Sequence, residues 1–142
     1  MFEFDYNVSL RIWHPSINPC RISEEMGLEP STSFMAGEAR KDGAGNPLSG
    51  RYRETYWCCQ FRQVDGFTLN DFLNKVVRQI YEHQDFIDEI RVTGGMAKLW
   101  IGWYNLGVNT TGELEWELLR DLASLKMDLV IDVYQTNIEQ ES

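Results

Sequence analysis

Residues 2–12 read Phe2-Glu-Phe-Asp-Tyr-Asn-Val-Ser-Leu-Arg-Ile12, and apolar and polar residues alternate along them without a break. Successive side chains of a β-strand point to opposite faces, so a period of two predicts a strand that buries one of its faces. Trp13 continues the polar side of this strand. We therefore expect a sheet with one face in the core.

Three later segments alternate in the same way and predict three more strands. They run from about Glu54 to Phe61, from Met96 to Tyr104 and from Met127 to Thr136. Both faces of the segment that starts at Met96 are rather apolar. The pattern does not distinguish parallel from antiparallel neighbours.

Helices are predicted between these strands. Asn18 can cap a short helix over residues 19–26, with Gly27 as its stop. Thr68, with Asp71 three residues later, caps the clearest helix in the chain. Its apolar residues recur at intervals of three and one, which draws one stripe along the helix: Leu69, Phe72, Leu73, Val76, Val77, Ile80 and Tyr81.

Two further helical segments are expected. Residues 85–90 add a turn or two before Gly94 and Gly95 break the chain. Thr110 with Glu113 matches a capping box, and leucines at helical spacing carry the last helix to about Lys126.

The remaining residues lack a sustained period. Residues 31–52 combine glycines, Pro47 and a charged run, which predicts a long loop that is either functional or mobile. Residues 137–142 are expected to form a frayed tail.

These elements predict one α+β domain over residues 1–142. The order is β-α-β-α-β-α-β, and the two main helices pack on one face of a four-stranded sheet. The sheet residues expected beneath the helices are Tyr6, Val8, Leu10, Ile12, Trp57, Phe61, Leu99, Ile101, Leu129 and Ile131.

The opposite sheet face is the predicted binding site. Amphipathic aromatic residues set among charges are typical of an interface, whereas a solvated sheet face should be polar. The candidate binding residues are Arg11, Trp13, Tyr56, Lys98, Trp100, Tyr104, Asp132 and Tyr134. Asp128 and Val130 lie on the same predicted face.

Three coverings of this face are considered. The loop of residues 31–52 could fold back over it through Phe34, Met35 and Leu48, which requires no function. A second copy could cover it in a homodimer, or a ligand or partner protein could do so. Arg11 and Lys98 share this face with the carboxylates of Asp128 and Asp132. The favoured interpretation is that these four charged residues form ordinary ion pairs between strands.

The net charge of the chain argues against nucleic acid as a partner. There are 13 Lys and Arg residues against 22 Asp and Glu residues, a net charge of -9, which repels a nucleic-acid backbone. Apolar runs are too short to cross a bilayer, and the acidic start does not resemble a signal peptide. We expect a cytoplasmic domain that binds neither nucleic acid nor membrane.

The sequence contains no recognisable pattern of catalytic or metal-binding residues. The three cysteines have no metal-binding spacing and are expected to be free thiols. His14 and His83 stand at a strand end and a helix end, where surface positions are expected. We predict no catalytic residues, no metal and no cofactor.

A set of short motifs carries a family resemblance: Val8-Ser-Leu-Arg-Ile12, Asn18-Pro-Cys-Arg-Ile-Ser-Glu-Glu-Met-Gly-Leu-Glu-Pro-Ser31, Gly37-Glu38, Trp57 and Leu129-Val-Ile-Asp-Val-Tyr134. They resemble DUF4279, a bacterial family of domains of unknown function, over residues 8–134. The resemblance implies a small bacterial α+β domain and no established activity. It draws attention, without assigning roles, to Gly37, Glu38, Trp57, Asp132 and Tyr134.

The leading hypothesis is a non-enzymatic binding or protein-interaction module that uses the aromatic sheet face together with the long loop of residues 31–52. A more specific variant is an acidic immunity protein that neutralises a basic toxin, which is motivated by the net charge of -9 and by the resemblance to a bacterial family. The alternative is an enzyme that acts on a small polar substrate near Arg11, Lys98 and Asp132.

Overall fold

The computed structural model describes residues 6–63, 66–105 and 111–135. In chain order the elements are β1 (Tyr6–His14), α1 (Pro19–Met26), β2 (Thr32–Phe34), β3 (Ala39–Lys41), β4 (Pro47–Arg51), β5 (Thr55–Gln60), α2 (Leu69–Tyr81), α3 (Gln84–Val92), β6 (Met96–Asn105), α4 (Trp116–Ser124) and β7 (Asp128–Gln135). The predicted α+β class is confirmed. None of these described helices has the length and composition of a membrane span.

The main sheet has five strands in the order β2-β5-β1-β6-β7. β1 is its centre and pairs antiparallel with β5 on one side and β6 on the other, so that Leu10 lies between Cys59 and Leu99. β7 pairs parallel with β6. A parallel neighbour requires a crossover connection, and α4 lies within it.

The core lies between the helices and one sheet face. The alternating residues Val8, Leu10 and Ile12 of β1 are fully buried, as the period of two predicts. Trp57 of β5 is also fully buried, and its indole Nε1 donates a hydrogen bond to Ser23 Oγ of α1 at 3.0 Å. This bond fixes α1 against the sheet.

The prediction of a four-stranded sheet with a long loop at residues 31–52 is wrong in detail. This segment contains β2, which adds a fifth strand beside β5, and β3 and β4, which pair as a separate hairpin. β2 and β3 have three residues each, too few to show a period of two. The hairpin turn is closed by Asp42 Oδ1, which accepts hydrogen bonds from the backbone N–H groups of Ala44 and Asn46.

The helices that carry clear caps have the predicted bounds. Asn18 accepts a hydrogen bond from the backbone of Cys20, and Gly27 ends α1 in the left-handed conformation at φ 66°. Thr68 accepts a hydrogen bond from the backbone of Asp71 at the start of α2. The short segment predicted at residues 85–90 is a full helix, α3.

The last helix begins later than the capping-box motif predicts. α4 starts at Trp116, and the backbone N–H of Glu115 donates a hydrogen bond to Asn70 Oδ1 of α2 at 2.9 Å. This contact between distant parts of the chain holds the residues before α4. Thr110, the predicted strand residues Phe2 and Phe4, and the predicted tail at 137–142 lie outside the described residues.

His14 is buried, which corrects the expected surface position. Its Nδ1 accepts hydrogen bonds from the backbone N–H groups of Ser16 and Ile17 at 3.0 and 2.9 Å. Its Nε2 lies 2.8 Å from Thr93 Oγ1, which itself donates to the carbonyl of Glu89. The imidazole is therefore neutral, with the proton on Nε2.

Burial, followed by the nearby Arg21 charge, lowers the pKa of His14 from its usual 6.5, and the Glu89 charge opposes the shift only in part. The unfolded chain then takes up this proton before the folded chain does. The contribution of His14 to stability is complete well above pH 6.5 and is lost as the pH falls through 6.5 toward the lower pKa of the folded state. We expect the free energy of unfolding to decrease between about pH 7.5 and pH 5.5, before most carboxylates titrate.

The variant His14→Asn keeps an acceptor for the two N–H groups but does not titrate, so its free energy of unfolding should depend less on pH in this window. Urea unfolding at several pH values, followed by circular dichroism, measures this free energy of unfolding. His83→Asn, which leaves His14 intact, is the control. Equal pH dependence in His14→Asn and the wild type would contradict the assignment.

Candidate functional site

The sheet face turned away from the helices, here called the open face, is the candidate site. Residues that follow the buried positions of each strand must point to this face, because side chains alternate along a strand. The structure places all eight predicted binding residues on it. The open face comprises Arg11, Trp13, Tyr56, Lys98, Trp100, Tyr104, Asp128, Val130, Asp132 and Tyr134.

The centre of the open face is a cluster of cations and aromatic rings. The Arg11 guanidinium lies 4.2 Å from the centroid of the Trp100 ring. The Trp13 ring lies 6.5 Å from Trp100 and 5.4 Å from Tyr56, and the Lys98 ammonium is 5.9 Å from Trp13. Cation–π contacts of this kind are worth about 0.5–1 kcal/mol each at exposed sites. The rings and cations therefore hold one another in place.

The β7 side of the open face is a second ordered region. The Tyr104 and Tyr134 rings stack with centroids 5.2 Å apart. Asn7 Nδ2 donates a hydrogen bond to the Tyr104 hydroxyl at 2.9 Å, and the Tyr134 hydroxyl donates to Asp132 Oδ2 at 3.0 Å. The hydrogen bond to Asp132 and its charge raise the pKa of Tyr134. Tyr134 is nonetheless 46% exposed, so its ring is available to a partner.

Sequence reasoning missed two aromatic residues at the opposite edge. Phe34 of β2 stacks on Tyr52 with ring centroids 3.7 Å apart, and it lies 5.4 Å from Tyr56. The sequence pattern predicts Phe34 only as part of a loop that covers the open face. The structure instead makes it an edge residue of the sheet, while Leu48 in the hairpin stays 43% exposed and every residue of β3 and β4 is exposed. This segment extends the aromatic surface beyond Tyr56.

The charges of the open face are only weakly paired. Of the expected ion pairs, Lys98 lies 3.8 Å from Asp128, whose side chain is 78% exposed, so solvent screens the attraction. Arg11 donates to Ser9 Oγ at 3.2 Å in addition to its stacking on Trp100. Burial, then the hydrogen bond and charge of Cys58, raises the pKa of Tyr56 to about 12, against the opposing effect of Arg11. Tyr56 is thus a neutral hydroxyl in solution near neutral pH.

Trp100 has one unusual feature. Its indole Nε1 is buried and has no hydrogen-bond partner in the part of the chain that the structure describes. A buried donor without a partner costs about 1–3 kcal/mol. Among the described residues, the Trp100 indole N–H therefore gains no hydrogen bond from folding.

His14 and Cys59, two side chains that could take part in catalysis, are not part of the open face. His14 is bonded within the fold, as described above. Burial, and then the charge of Cys58, raises the pKa of Cys59 to about 11, so its thiol is protonated at neutral pH and is a poor nucleophile. Among the described residues, no three or more His, Cys, Asp and Glu side chains gather as a metal site would require.

A cavity of about 600 Å³ lies near the start of α2, and no predicted binding residue lines it. Tyr6, Asn70 and Trp103 form part of its wall, together with the carboxylates of Asp71 and Glu113. Its acidic rim differs from the mixed charges of the open face. The cavity and the candidate site are thus separate features.

Comparisons with known proteins give one match. The searches of curated proteins and of solved structures found none. A family model described as a domain of unknown function, DUF4279, matches residues 4–136, which agrees with the resemblance carried by the motifs. Because that match covers nearly the whole sequence, the chain belongs to the DUF4279 family.

Proposed function

We propose that this domain is a protein-interaction module whose open face binds a partner protein. The observation that carries the proposal is the group of aromatic residues on a sheet face that none of the described helices covers: Trp13, Tyr56, Trp100, Tyr104 and Tyr134. Tryptophan, tyrosine and arginine are the residues that most often dominate the binding energy of protein interfaces.

The order of these side chains supports the proposal. The contacts of Arg11 with Trp100 and of Tyr134 with Asp132 hold the side chains in defined positions before a partner arrives. Fixing a mobile side chain at an interface costs about 0.5–1.5 kcal/mol. A surface that is ordered in advance avoids part of that cost.

The net charge of -9 favours a basic partner. This supports the narrower proposal of an acidic immunity protein that neutralises a basic toxin. The same charge opposes a homodimer, since two copies repel each other. The charge of the occupant thus distinguishes a basic partner protein from a second copy of this chain.

An enzyme acting on a small polar substrate is the alternative function. Its candidate residues are Arg11, Lys98 and Asp132. Arg11 already stacks on Trp100, and Asp132 already accepts a hydrogen bond from Tyr134. A substrate would have to compete for these groups, so the geometry favours the interaction module.

The double variant Trp100→Ser, Tyr134→Ser tests the open face. Loss of two aromatic anchors of an interface typically costs about 2–4 kcal/mol or more, which weakens binding by roughly 30- to 1,000-fold. The wild type and the variant are used to capture binding proteins, and the affinity for the purified partner is then measured by calorimetry. Sedimentation velocity on the domain alone reports self-association.

The control for this experiment is Val92→Ser on α3, where an apolar side chain is 62% exposed away from the open face. It should bind the partner as the wild type does. A partner that binds the double variant at full strength, while circular dichroism shows the variant folded, would contradict the proposal. An unfolded double variant would show that these two residues belong to the core.

A second prediction compares two tryptophans by their effect on stability. Trp57→Phe loses the hydrogen bond to Ser23 and leaves space in the core, which should lower the free energy of unfolding by about 2–3 kcal/mol. Trp100→Phe removes a donor that has no partner among the described residues, so the change should stay within about 1 kcal/mol.

Urea unfolding followed by circular dichroism measures both variants. Equal destabilisation would mean that Trp100 is packed as a core residue. The open face would then lose its central binding residue.

A further inference from the structure

Within the described residues, the outer edge of β7 has no neighbouring strand. β7 ends the sheet, and among the described strands it has a hydrogen-bonded neighbour on one side only, β6. Every second residue of an edge strand directs its N–H and C=O groups away from the sheet. β7 has eight residues, Asp-Leu-Val-Ile-Asp-Val-Tyr-Gln, with no lysine, arginine or proline to prevent pairing. By contrast, β2 at the other edge has only three residues.

The helix-facing side of this edge is apolar, and its side chains are exposed. Ile131 and Val133 of β7 are 50% and 58% exposed, although Ile101, the partner of Ile131 on β6, is fully buried. Leu119 of α4, the helix that packs on β7, is 45% exposed. Exposed apolar side chains beside unpaired backbone groups are the features that a bound strand would cover.

The open-face side of the same edge is acidic and aromatic. Asp128 and Asp132 alternate with Val130 and Tyr134 along β7. The Asp128 carboxylate has Lys98 at 3.8 Å but is 78% exposed. A basic side chain on an added strand would meet these carboxylates, and it could lie on the Tyr134 ring.

We infer that an extended segment of the partner, in which apolar and basic residues alternate, adds to the sheet beside β7. Its apolar residues face Ile131 and Val133, and its basic residues face Asp128 and Asp132. This inference rests on the proposed interaction function and names the element of the partner that is recognised. A second copy fits less well, because it brings another net charge of -9 to an edge that is itself acidic.

The first test uses two synthetic peptides of about ten residues, which is long enough to span the edge strand. In one peptide isoleucine and lysine alternate. The other has the same composition, with isoleucines spaced three and four apart as on a helix. Titration into the full chain should show about ten-fold tighter binding of the alternating peptide, because only that peptide presents one face of each kind as a strand.

The second test examines backbone pairing. Two versions of the alternating peptide carry N-methyl groups, one on all isoleucines and the other on all lysines. The N–H groups of one set face β7 and those of the other set face solvent. We expect one version to lose binding and the other to keep it, with slowed hydrogen exchange of β7 amides on binding.

The third test uses matched protein variants. Val133→Lys places a charge on the edge and should weaken binding of the alternating peptide by about ten-fold or more. Val92→Lys makes the same charge change at another exposed valine and should bind like the wild type apart from a small charge effect. Because Val133 is 58% exposed, circular dichroism is expected to show that Val133→Lys is folded.

Several outcomes would overturn the inference. Equal binding of the two peptides, or equal binding of both methylated versions, would show only attraction between opposite charges. A wild-type dimer that Val133→Lys converts to a monomer would make a second copy the occupant. A captured partner that binds Val133→Lys but not the open-face double variant would refute strand addition at β7 and would leave the proposed function unchanged.

Discussion

The strict sidedness of β1 is the constraint on which the rest of the structure depends. β1 lies at the centre of the sheet and pairs with a strand on each side, so its period of two sets which residues of β5 and β6 meet the helices. A shift of β1 by one residue against both of its neighbours would turn Leu10 and Ile12 outward and bring Arg11 into the core. The register that buries the aliphatic residues therefore also assembles the aromatic open face.

The sequence predicts the parts of the fold that are specified by nearby residues. The bounds of α1 and α2 follow from Asn18, Gly27 and Thr68, which satisfy the backbone groups at helix ends. The start of α4 cannot be predicted from neighbouring residues, because it depends on a hydrogen bond from Glu115 to Asn70 across the fold. β2 and β3 could not be found from their pattern, since three residues show no period.

The candidate site was predicted to a similar extent and for the same reason. Alternation assigns Trp13, Trp100 and Tyr134 to one face, but it gives no distances between strands. The neighbours of each ring depend on strand order, which the sequence did not specify. Phe34 and Tyr52 were missed as site residues because their stacking requires β2 to pair with β5. The hydrogen bond of His14 Nε2 likewise involves Thr93, which lies far along the chain.

The difference in length between the two edge strands limits how this fold can assemble. Open-ended fibrils grow only when each subunit offers two complementary edges, one to receive a strand and one to present the next. β2 is three residues long and supplies too few backbone groups to template a further strand, whereas β7 supplies eight residues. Growth of the sheet by strand addition would therefore stop after one step. Association through β7 would produce a complex of limited size and not a polymer.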